Sequence, residues 1–167
     1  ESKEIVRQAS DLIVAAHRLG IILANAGIDH SNVESGDATD CVLLLPTDPD
    51  STSEKYREQI FHATGESVGV IISDSAGRAW RNGTVGLAIG VAGLPAIEDH
   101  TGKPDLFGTP LISSQEAIAD ELASAASLVQ GQADEGRPVA LIRGIKVTGK
   151  ASSASSLVRP KEFDLFR

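Results

Sequence analysis

Short runs of apolar residues alternate along the chain with clusters of polar turn formers. Residues 70–72 are the β-branched run Val-Ile-Ile. This run predicts a buried strand, because short β-branched runs bounded by turn residues pack on both faces of a sheet. It stops at Ser-Asp-Ser in residues 73–75, where we predict a polar turn. A second apolar run, interrupted by Gly86, Gly90 and Gly93, predicts the next strand.

Three segments have the spacing of helices. Residues 1–19 carry apolar side chains along one helical stripe. Residues 52–63 follow an Asp-Pro-Asp-Ser cap sequence and stop before Gly65, which is typical of a helix C-terminus. The alanine-rich stretch 115–130 follows two serines, which are common N-cap residues. We therefore predict a helix over each of these three ranges.

The remaining segments predict short strands and loops. Residues 21–24, 41–45 and 138–143 are apolar runs of strand length. Residues 97–109 are rich in Gly, Pro and Asp, which indicates a loop or hairpin. Residues 146–156 are rich in Gly, Ser, Ala and Lys, a composition typical of a flexible segment.

Together these elements predict an α+β fold, with a mixed sheet and several packed helices in a single domain over residues 1–167. A chain of 167 residues can bury one hydrophobic core. Aromatic residues make up only 4% of it, so the core must consist of Val, Ile, Leu and Ala. Residues 157–167 again contain several large apolar side chains. We expect this tail to dock on its own domain or on a partner subunit.

The charge and cysteine content narrow the class of protein. The net charge of -8 argues against a general binder of nucleic-acid phosphates, so an anionic small substrate would need a local basic pocket or metal ions. The single cysteine, Cys41, excludes an internal disulfide framework. We find no apolar run of membrane-spanning length and no signal peptide. We therefore expect a cytoplasmic protein without membrane or nucleic-acid partners, and the absence of any methionine suggests the later part of a longer chain.

The candidate chemistry lies around residues 73–81. A carboxylate and a hydroxyl at a strand end, Asp74 and Ser75, can hold a hard cation. Arg78 and Arg81 follow, with forked donors suited to phosphate or carboxylate oxygens. The alternative is a polar turn with solvated arginines. The sequence contains no P-loop, dinucleotide fingerprint, nucleophile elbow or zinc-ligand spacing.

Other polar clusters have two interpretations each. The loop 25–32 is dense in side chains that bind backbone, metal or phosphate, and by itself it is also compatible with a simple turn. Asp99, His100 and Asp105 are candidate metal ligands or members of a solvated turn. The acidic pair Asp120-Glu121, with Glu116 one turn earlier, either faces a metal or forms a solvated helix face.

Three stretches jointly resemble the coenzyme F420-0:L-glutamate ligase family, the γ-glutamyl ligases of deazaflavin coenzyme biosynthesis. They are ANAGIDHSN at 24–32, SDSAGRAWRNGTVGLAIGVAGL at 73–94 and SSLVRPKEFDLFR at 155–167. The resemblance covers essentially the whole chain. It implies an enzyme that joins L-glutamate to coenzyme F420-0 with GTP and Mg²⁺ or Mn²⁺, K⁺ being a candidate further cation. It also implies an acyl-phosphate intermediate, small-molecule substrates and a homodimer.

The resemblance also implies roles for individual residues. Asp29 and Asp74 match the family's metal-binding aspartates, and Ser75 matches the neighbouring ligand of a second metal. Asn32 matches a nucleotide-contacting position, and Gln132 is the best match to a further nucleotide and metal contact. The assignment of Arg78 and Arg81 as anion clamps for the reaction is our inference from their chemistry.

Two departures from the family pattern bear on activity. Gly86 stands where a polar or larger side chain is expected. Roughly the first third of a usual member, which contributes nucleotide-binding residues, has no counterpart in the chain, so the GTP site of this chain alone is expected to be incomplete. Two alternatives to the ligase follow. The chain is either an inactive fragment or paralogue with a structural or interaction role, or a metal-dependent phosphate-ester enzyme that uses the same Asp-Asp-Ser site.

Overall fold

The computed structural model describes residues 1–33 and 41–166. The acidic loop at 34–40 lies outside the described residues. The α+β class is confirmed, and the strands that the structure describes pair in three small antiparallel sheets. The elements are β1 (Ser2–Gln8), β2 (Ile13–His17), β3 (Ile22–Ala24), α1 (Pro49–Thr64), β4 (Val70–Arg78), β5 (Arg81–Ala92), β6 (Glu98–Asp99), β7 (Gln115–Glu116) and α2 (Ile118–Gln130).

The predicted helix over residues 1–19 is wrong. This segment forms β1 and β2, and β2 also pairs with β3. The turn formers Ser10 and Asp11 interrupt the apolar stripe, and the N–H of Ala9 donates to the carbonyl of Leu12 across the turn at 2.9 Å. Pairing with β3 then satisfies backbone groups that a helix would have satisfied internally. The helical spacing of a few apolar residues was therefore outweighed by tertiary pairing.

The β4–β5 hairpin also differs from the prediction. β4 does not end at residues 73–75 but continues to Arg78, and the chain reverses at Ala79 and Trp80. Trp80 adopts a left-handed φ of 62° at this turn. The Ser-Asp-Ser sequence is therefore the middle of a strand, with Asp74 paired to Leu87 and Ser75 paired to Gly86. These polar residues are held by a regular ladder, which positions them more rigidly than a turn would.

The predicted middle helix is confirmed as α1, and its ends follow the cap rules. Asp48 is the N-cap and accepts a hydrogen bond from the Ser51 N–H at 2.9 Å. Gly65 ends the helix in the left-handed region, and its N–H donates to the Phe61 carbonyl at 2.8 Å. α1 buries Pro49 and Ser53, so its small residues face β5.

The helix α2 begins later than predicted because the two residues before it belong to a strand. Gln115 and Glu116 pair with β6, which closes the hairpin expected near residues 97–109. The N-cap position is Ala117, and no side chain caps the helix. The buried face of α2 packs on β5 and shares a core with it. The buried members of that core are Ala88, Val91, Leu94, Ala96, Ala119, Ala123 and Ala154.

Carboxylates of both helices bind the backbone of β5. Asp120 on α2 accepts the N–H of Ala88 at 2.8 Å, and Asp50 on α1 accepts the N–H of Val91 at 2.8 Å. Burial raises the pKa of Asp120, and the hydrogen bond from Ala88 opposes that shift. Asp120 is therefore a structural carboxylate that anchors α2 to β5, rather than a metal ligand or part of a solvated face.

Two predicted strands are not part of a sheet in the described residues. Within 41–45 only Leu43 forms an isolated bridge, to Asp29, and residues 138–143 join no ladder. The later segments do contact the rest of the fold. The Ser152 hydroxyl oxygen accepts a hydrogen bond from the Ala96 N–H at 2.9 Å, and Lys161 forms an ion pair with Glu4 at 2.9 Å. No helix in the part of the chain that the structure describes is long and apolar enough to cross a membrane.

Candidate functional site

Five residues that the sequence singled out line a single cleft. The cleft has a volume of about 950 Å³ and lies between the loop after β3, the middle of β4 and the segment after α2. The five residues come from three separate parts of the chain, and they are Asp29, Asn32, Asp74, Ser75 and Gln132. The structure therefore brings the predicted metal and nucleotide residues together.

Asp29 is held in place by its neighbours on both sides. Its backbone exchanges two hydrogen bonds with Leu43, at 3.1 and 2.8 Å. Its carboxylate accepts the N–H of Ser31 at 2.8 Å and the Ser31 hydroxyl at 2.7 Å. The hydrogen bonds from Ser31 lower the pKa of Asp29, which is therefore ionised at neutral pH.

Asp74 and Ser75 lie on β4 at the opposite wall of the cleft. The half-buried Asp74 carboxylate accepts the N–H of Ser75 at 2.8 Å. The Ser75 hydroxyl donates to the side-chain oxygen of Gln132 at 2.7 Å. This second bond joins the strand to the segment after α2, although the two residues are 57 positions apart. Gln132 and Ser75 therefore present oxygen atoms at the same end of the cleft.

The two aspartates form a like-charge pair. Burial raises the pKa of Asp74, the hydrogen bond from Ser75 opposes the shift, and the nearby Asp29 carboxylate raises it further. Repulsion between the Asp29 and Asp74 carboxylates is an arrangement that a bound cation would relieve. The available donors are two carboxylates, a hydroxyl and an amide oxygen, which are the hard oxygen ligands that Mg²⁺ and Mn²⁺ prefer. The residues present fit a divalent cation.

The loop on the far side of the cleft is tied to the loop after β3. The side-chain amide of Asn32 donates to the carbonyl of Ala133 at 2.9 Å. Asn32 itself has a left-handed φ of 52°, which asparagine tolerates better than most residues. The contact closes one end of the cleft, so the position of Asn32 depends on the loop that carries Gln132.

Comparisons with known proteins identify the family of this chain. The family model described as F420-0:Gamma-glutamyl ligase matches residues 1–144. The chain belongs to the F420-0:gamma-glutamyl ligase family. Proteins named coenzyme F420:L-glutamate ligase are 48% identical over the whole chain in Methanocaldococcus jannaschii and 50% identical in Methanothermobacter thermautotrophicus. A protein of the same name in Archaeoglobus fulgidus is 42% identical. The chain spans 65% of the length of the first and third relatives and 66% of the second.

Two residues that hold parts of the cleft in position in this member of the γ-glutamyl ligase family were not predicted from the sequence. Ser31 holds the Asp29 carboxylate, and the Asp-x-Ser spacing of a local side-chain-to-backbone turn was the available signal. Glu135 folds back on its own loop and accepts the N–H of Ala133 at 2.9 Å. Hydrogen bonds from the backbone, with that from Ala133 the largest, lower the pKa of Glu135. No sequence pattern marks Glu135, because its partner is set by the shape of the loop.

Gly131 is required where Glu135 folds back. A Cβ atom at position 131 would lie 2.1 Å from the carboxyl carbon of Glu135, and Gly131 has a left-handed φ of 82°. The exposed carboxyl group of Glu135 could move aside, so the positive φ is what disfavours an ordinary side chain at this position. Gly131 therefore allows the chain to turn between α2 and the segment that carries Gln132.

We predict that Glu135→Ala loosens this loop without unfolding the domain. The Ala133 N–H loses its acceptor, so hydrogen exchange of the backbone amides at 131–137 should accelerate by about tenfold or more. The melting temperature should stay within about 2 °C of the unmodified chain, since surface substitutions change stability little. Hydrogen exchange followed by mass spectrometry measures the first effect and calorimetry the second. The matched control is Glu58→Ala on the exposed side of α1, and equal exchange in the two variants would contradict the role of Glu135.

Arg78 and Arg81 lie outside the cleft lining. They are opposite each other at the end of the β4–β5 hairpin. Side chains alternate between the two faces of a strand. Ala76 and Arg78 therefore lie on the same face of β4 as Asp74. At the usual rise of a strand, Arg78 is about 13 Å along β4 from Asp74. The structure thus separates the two arginines from the carboxylates, and their role in anion binding stays a prediction.

The second group of candidate metal ligands forms a hydrogen-bonded network. His100 binds the Glu116 carboxylate through Nε2 at 3.0 Å, and the Lys103 ammonium lies 2.8 Å from its Nδ1. The ligand atoms of Glu98, His100 and Glu116 lie within 4.8 Å of one another. The other two candidates accept hydrogen bonds from nearby backbone groups. Asp99 accepts the Thr101 N–H, and Asp105 accepts the N–H groups of Phe107 and Thr109. With a lysine already on the imidazole, this cluster is explained by pairing within the hairpin.

Proposed function

We propose that this chain is the larger part of a GTP- and divalent-metal-dependent ligase that adds L-glutamate to coenzyme F420-0 through an amide bond. Membership of the F420-0:gamma-glutamyl ligase family supports the reaction class. The observation that carries the proposal for this chain is the Asp29–Asp74 carboxylate pair, which lines one cleft together with Ser75 and Gln132. A volume of about 950 Å³ is large enough for a nucleotide.

Asp29, Asp74, Ser75 and Gln132 are the residues that would hold the divalent metal ions. When bound, such ions neutralise phosphate charge and polarise phosphoryl oxygens. The protein's own contribution is to keep the four oxygen donors at the edge of the cleft. It does so through the hydrogen bonds from Ser31 to Asp29 and from Ser75 to Gln132. Because the two aspartates repel each other, the site is prepared for cations before they arrive.

The proposed reaction has two stages. The terminal phosphoryl group of GTP is transferred to the carboxylate of the coenzyme precursor, and the bond to GDP breaks. The amine of L-glutamate then attacks the acyl phosphate, the amide bond forms, and inorganic phosphate and a proton leave. Such transfer depends mainly on positioning and charge stabilisation. Asn32 and Gln132 are proposed to contact the nucleotide.

Arg78 and Arg81 are proposed to bind an anionic part of a substrate. They are direct neighbours across the hairpin, and like charges opposite each other in a sheet are destabilising. An anion between them would relieve this repulsion and accept forked hydrogen bonds. The proposal gives these arginines a site at the hairpin end, separate from the metal ligands.

A homodimer is also proposed, since apolar side chains in the tail are exposed. Phe163, Leu165 and Phe166 lie largely in solvent, and Phe166 contacts Trp80 with ring centroids 6.2 Å apart. Exposed aromatic clusters are common at protein interfaces.

K⁺ stays a candidate additional cation beside the divalent metals.

Metal binding by the chain itself tests the proposed site. We expect Mn²⁺ to bind in a titration followed by electron paramagnetic resonance, and GTP to bind more tightly in its presence by calorimetry. Asp29→Ala should weaken Mn²⁺ binding by at least about 100-fold, because losing a ligand exceeds the 10–100-fold effect of outer residues. Asp11→Ala, at the exposed β1–β2 turn, is the matched control.

The outcomes separate the candidate functions. Mn²⁺ binding with no response to GTP, combined with hydrolysis of a simple phosphate ester, would favour the phosphate-ester enzyme. No binding of either would favour a structural or interaction fragment. Glutamate-dependent release of phosphate from GTP in the presence of coenzyme F420-0 is the result expected of the ligase.

A further inference from the structure

Residues 138–145 are an apolar segment that has no sheet partner in the described part of the chain. The sequence is Pro-Val-Ala-Leu-Ile-Arg-Gly-Ile, which has the composition of a strand buried on both faces. No backbone hydrogen bond joins residues 139–145 to another described segment. Val139 is 83% exposed and Leu141 is 69% exposed.

The segment is nevertheless held at both of its ends. At the first end, the side chain of Gln130 donates to the Pro138 carbonyl at 3.0 Å. At the second, Val147 packs against the core, and the N–H of Thr148 donates to the Glu98 carboxylate. Ala140 is half-buried, whereas Val139, Leu141 and Ile142, which form the outer face of the segment, are exposed. An anchored apolar segment with exposed side chains and no ladder partner has the form of a strand that lacks its neighbour.

We propose that residues 138–145 form a strand that is completed by another polypeptide segment, one that belongs to the part of the γ-glutamyl ligases outside this match. About a third of each relative lies outside the region that the chain covers. Such a segment would pair with the free backbone groups and cover the outer face, as in other cases of strand addition.

Charge defines the chemistry of the partner. Residues 137–150 contain four basic side chains, Arg137, Arg143, Lys146 and Lys150, and no acidic one, in a chain of net charge -8. The partner segment is therefore apolar with acidic flanks. A second copy of the same segment is a poorer partner, because antiparallel pairing of two copies would bring basic residues together.

Hydrogen exchange tests the proposal on intact molecules. The amides of residues 139–145 should exchange nearly freely in this chain. The aligned amides of the intact Methanocaldococcus jannaschii relative should exchange at least about 100-fold more slowly, and equally slowly at two protein concentrations tenfold apart. The aligned counterparts of Leu106 and Phe107, at an exposed hairpin tip, serve as a reference segment that should exchange similarly in both proteins.

A pair of substitutions in the intact relative tests the contact itself. Aspartate at the position aligned with Leu141 should remove the protection of the segment, whereas aspartate at the position aligned with Phe107 should leave it unchanged. Free exchange of the segment in the intact relative would overturn the proposal. Protection that appears only at the higher concentration would also overturn it and would identify a second copy as the partner.

Discussion

Replacing Asp74 by asparagine is expected to abolish metal-dependent nucleotide binding and at the same time to raise the melting temperature at pH 7. The first effect follows because the carboxylate is a proposed metal ligand. The second follows because burial and the Asp29 carboxylate raise the pKa of Asp74, so that its ionised form destabilises the fold. We expect a rise of at most about 2–4 °C, the shift that about 1 kcal/mol would produce in a chain of this size, because solvent screens a carboxylate that is only half-buried.

The pH dependence of this gain has a definite sign. A carboxyl group whose pKa is raised by folding stabilises the protein below its ordinary pKa, and that contribution is lost as the pH rises through the folded pKa. Asp74→Asn should therefore be more stable than the unmodified chain at pH 7. The difference should vanish below about pH 4, where Asp74 is protonated in both states. Thermal unfolding between pH 3.5 and pH 7 measures it.

Asp29→Asn is the matched variant, because the pKa of Asp29 moves in the opposite direction. Hydrogen bonds from Ser31 lower that pKa, so ionised Asp29 contributes stability at neutral pH that is lost as the pH falls. We expect Asp29→Asn to lose metal binding with no rise in melting temperature at pH 7. A fall in melting temperature for Asp74→Asn at pH 7 would refute the electrostatic account of the site.

Gly86→Ala is expected to destabilise the whole domain. A Cβ atom at position 86 would lie 2.4 Å from the carbonyl oxygen of Ala123 and 2.8 Å from its carbonyl carbon. Both are backbone atoms of α2, so the helix itself must move. Overpacking of this kind costs about 1–3 kcal/mol, which lowers the melting temperature by about 2–12 °C at 2–4 °C for each kcal/mol. Calorimetry measures the shift.

The same substitution should also weaken metal binding at the proposed site. Gly86 lies in the cleft lining and is the ladder partner of Ser75, and the C-terminal end of α2 leads directly to Gln132. A displaced helix moves Gln132 away from the Ser75 hydroxyl. Gly77→Ala on β4 is the control, since a Cβ atom there meets nothing within 4 Å. If the two variants melt at the same temperature, close packing of α2 is not the reason for glycine at position 86.

The departure at Gly86 thus has a structural explanation. The family pattern predicts a polar or larger side chain at this position, but the α2 backbone occupies the space that such a side chain would need. A close approach of two backbones involves residues far apart in sequence. Composition and spacing along the chain therefore do not reveal this close approach.

Local patterns predicted some elements well and others badly. The caps of α1 were predictable, because Asp48 and Gly65 act on backbone groups only a few residues away. The predicted helix over residues 1–19 was wrong, because β1 and β2 pair with each other and β2 also pairs with β3, and helical spacing along a segment does not reveal such pairing. The predicted end of β4 was also wrong, since the polar Asp74 lines the cleft from the middle of the strand and does not belong to a turn.

By itself, the sequence determined the α+β class, the family and the five polar residues that line the cleft. These features follow from the identity and order of the residues, which the sequence gives directly. The tertiary structure decided the hydrogen bond from Ser75 to Gln132, the raised pKa of Asp74, the separation of Arg78 and Arg81 from the cleft, and the need for glycine at position 86. Each of these depends on distances and burial between residues from different segments, and only the folded chain sets those quantities.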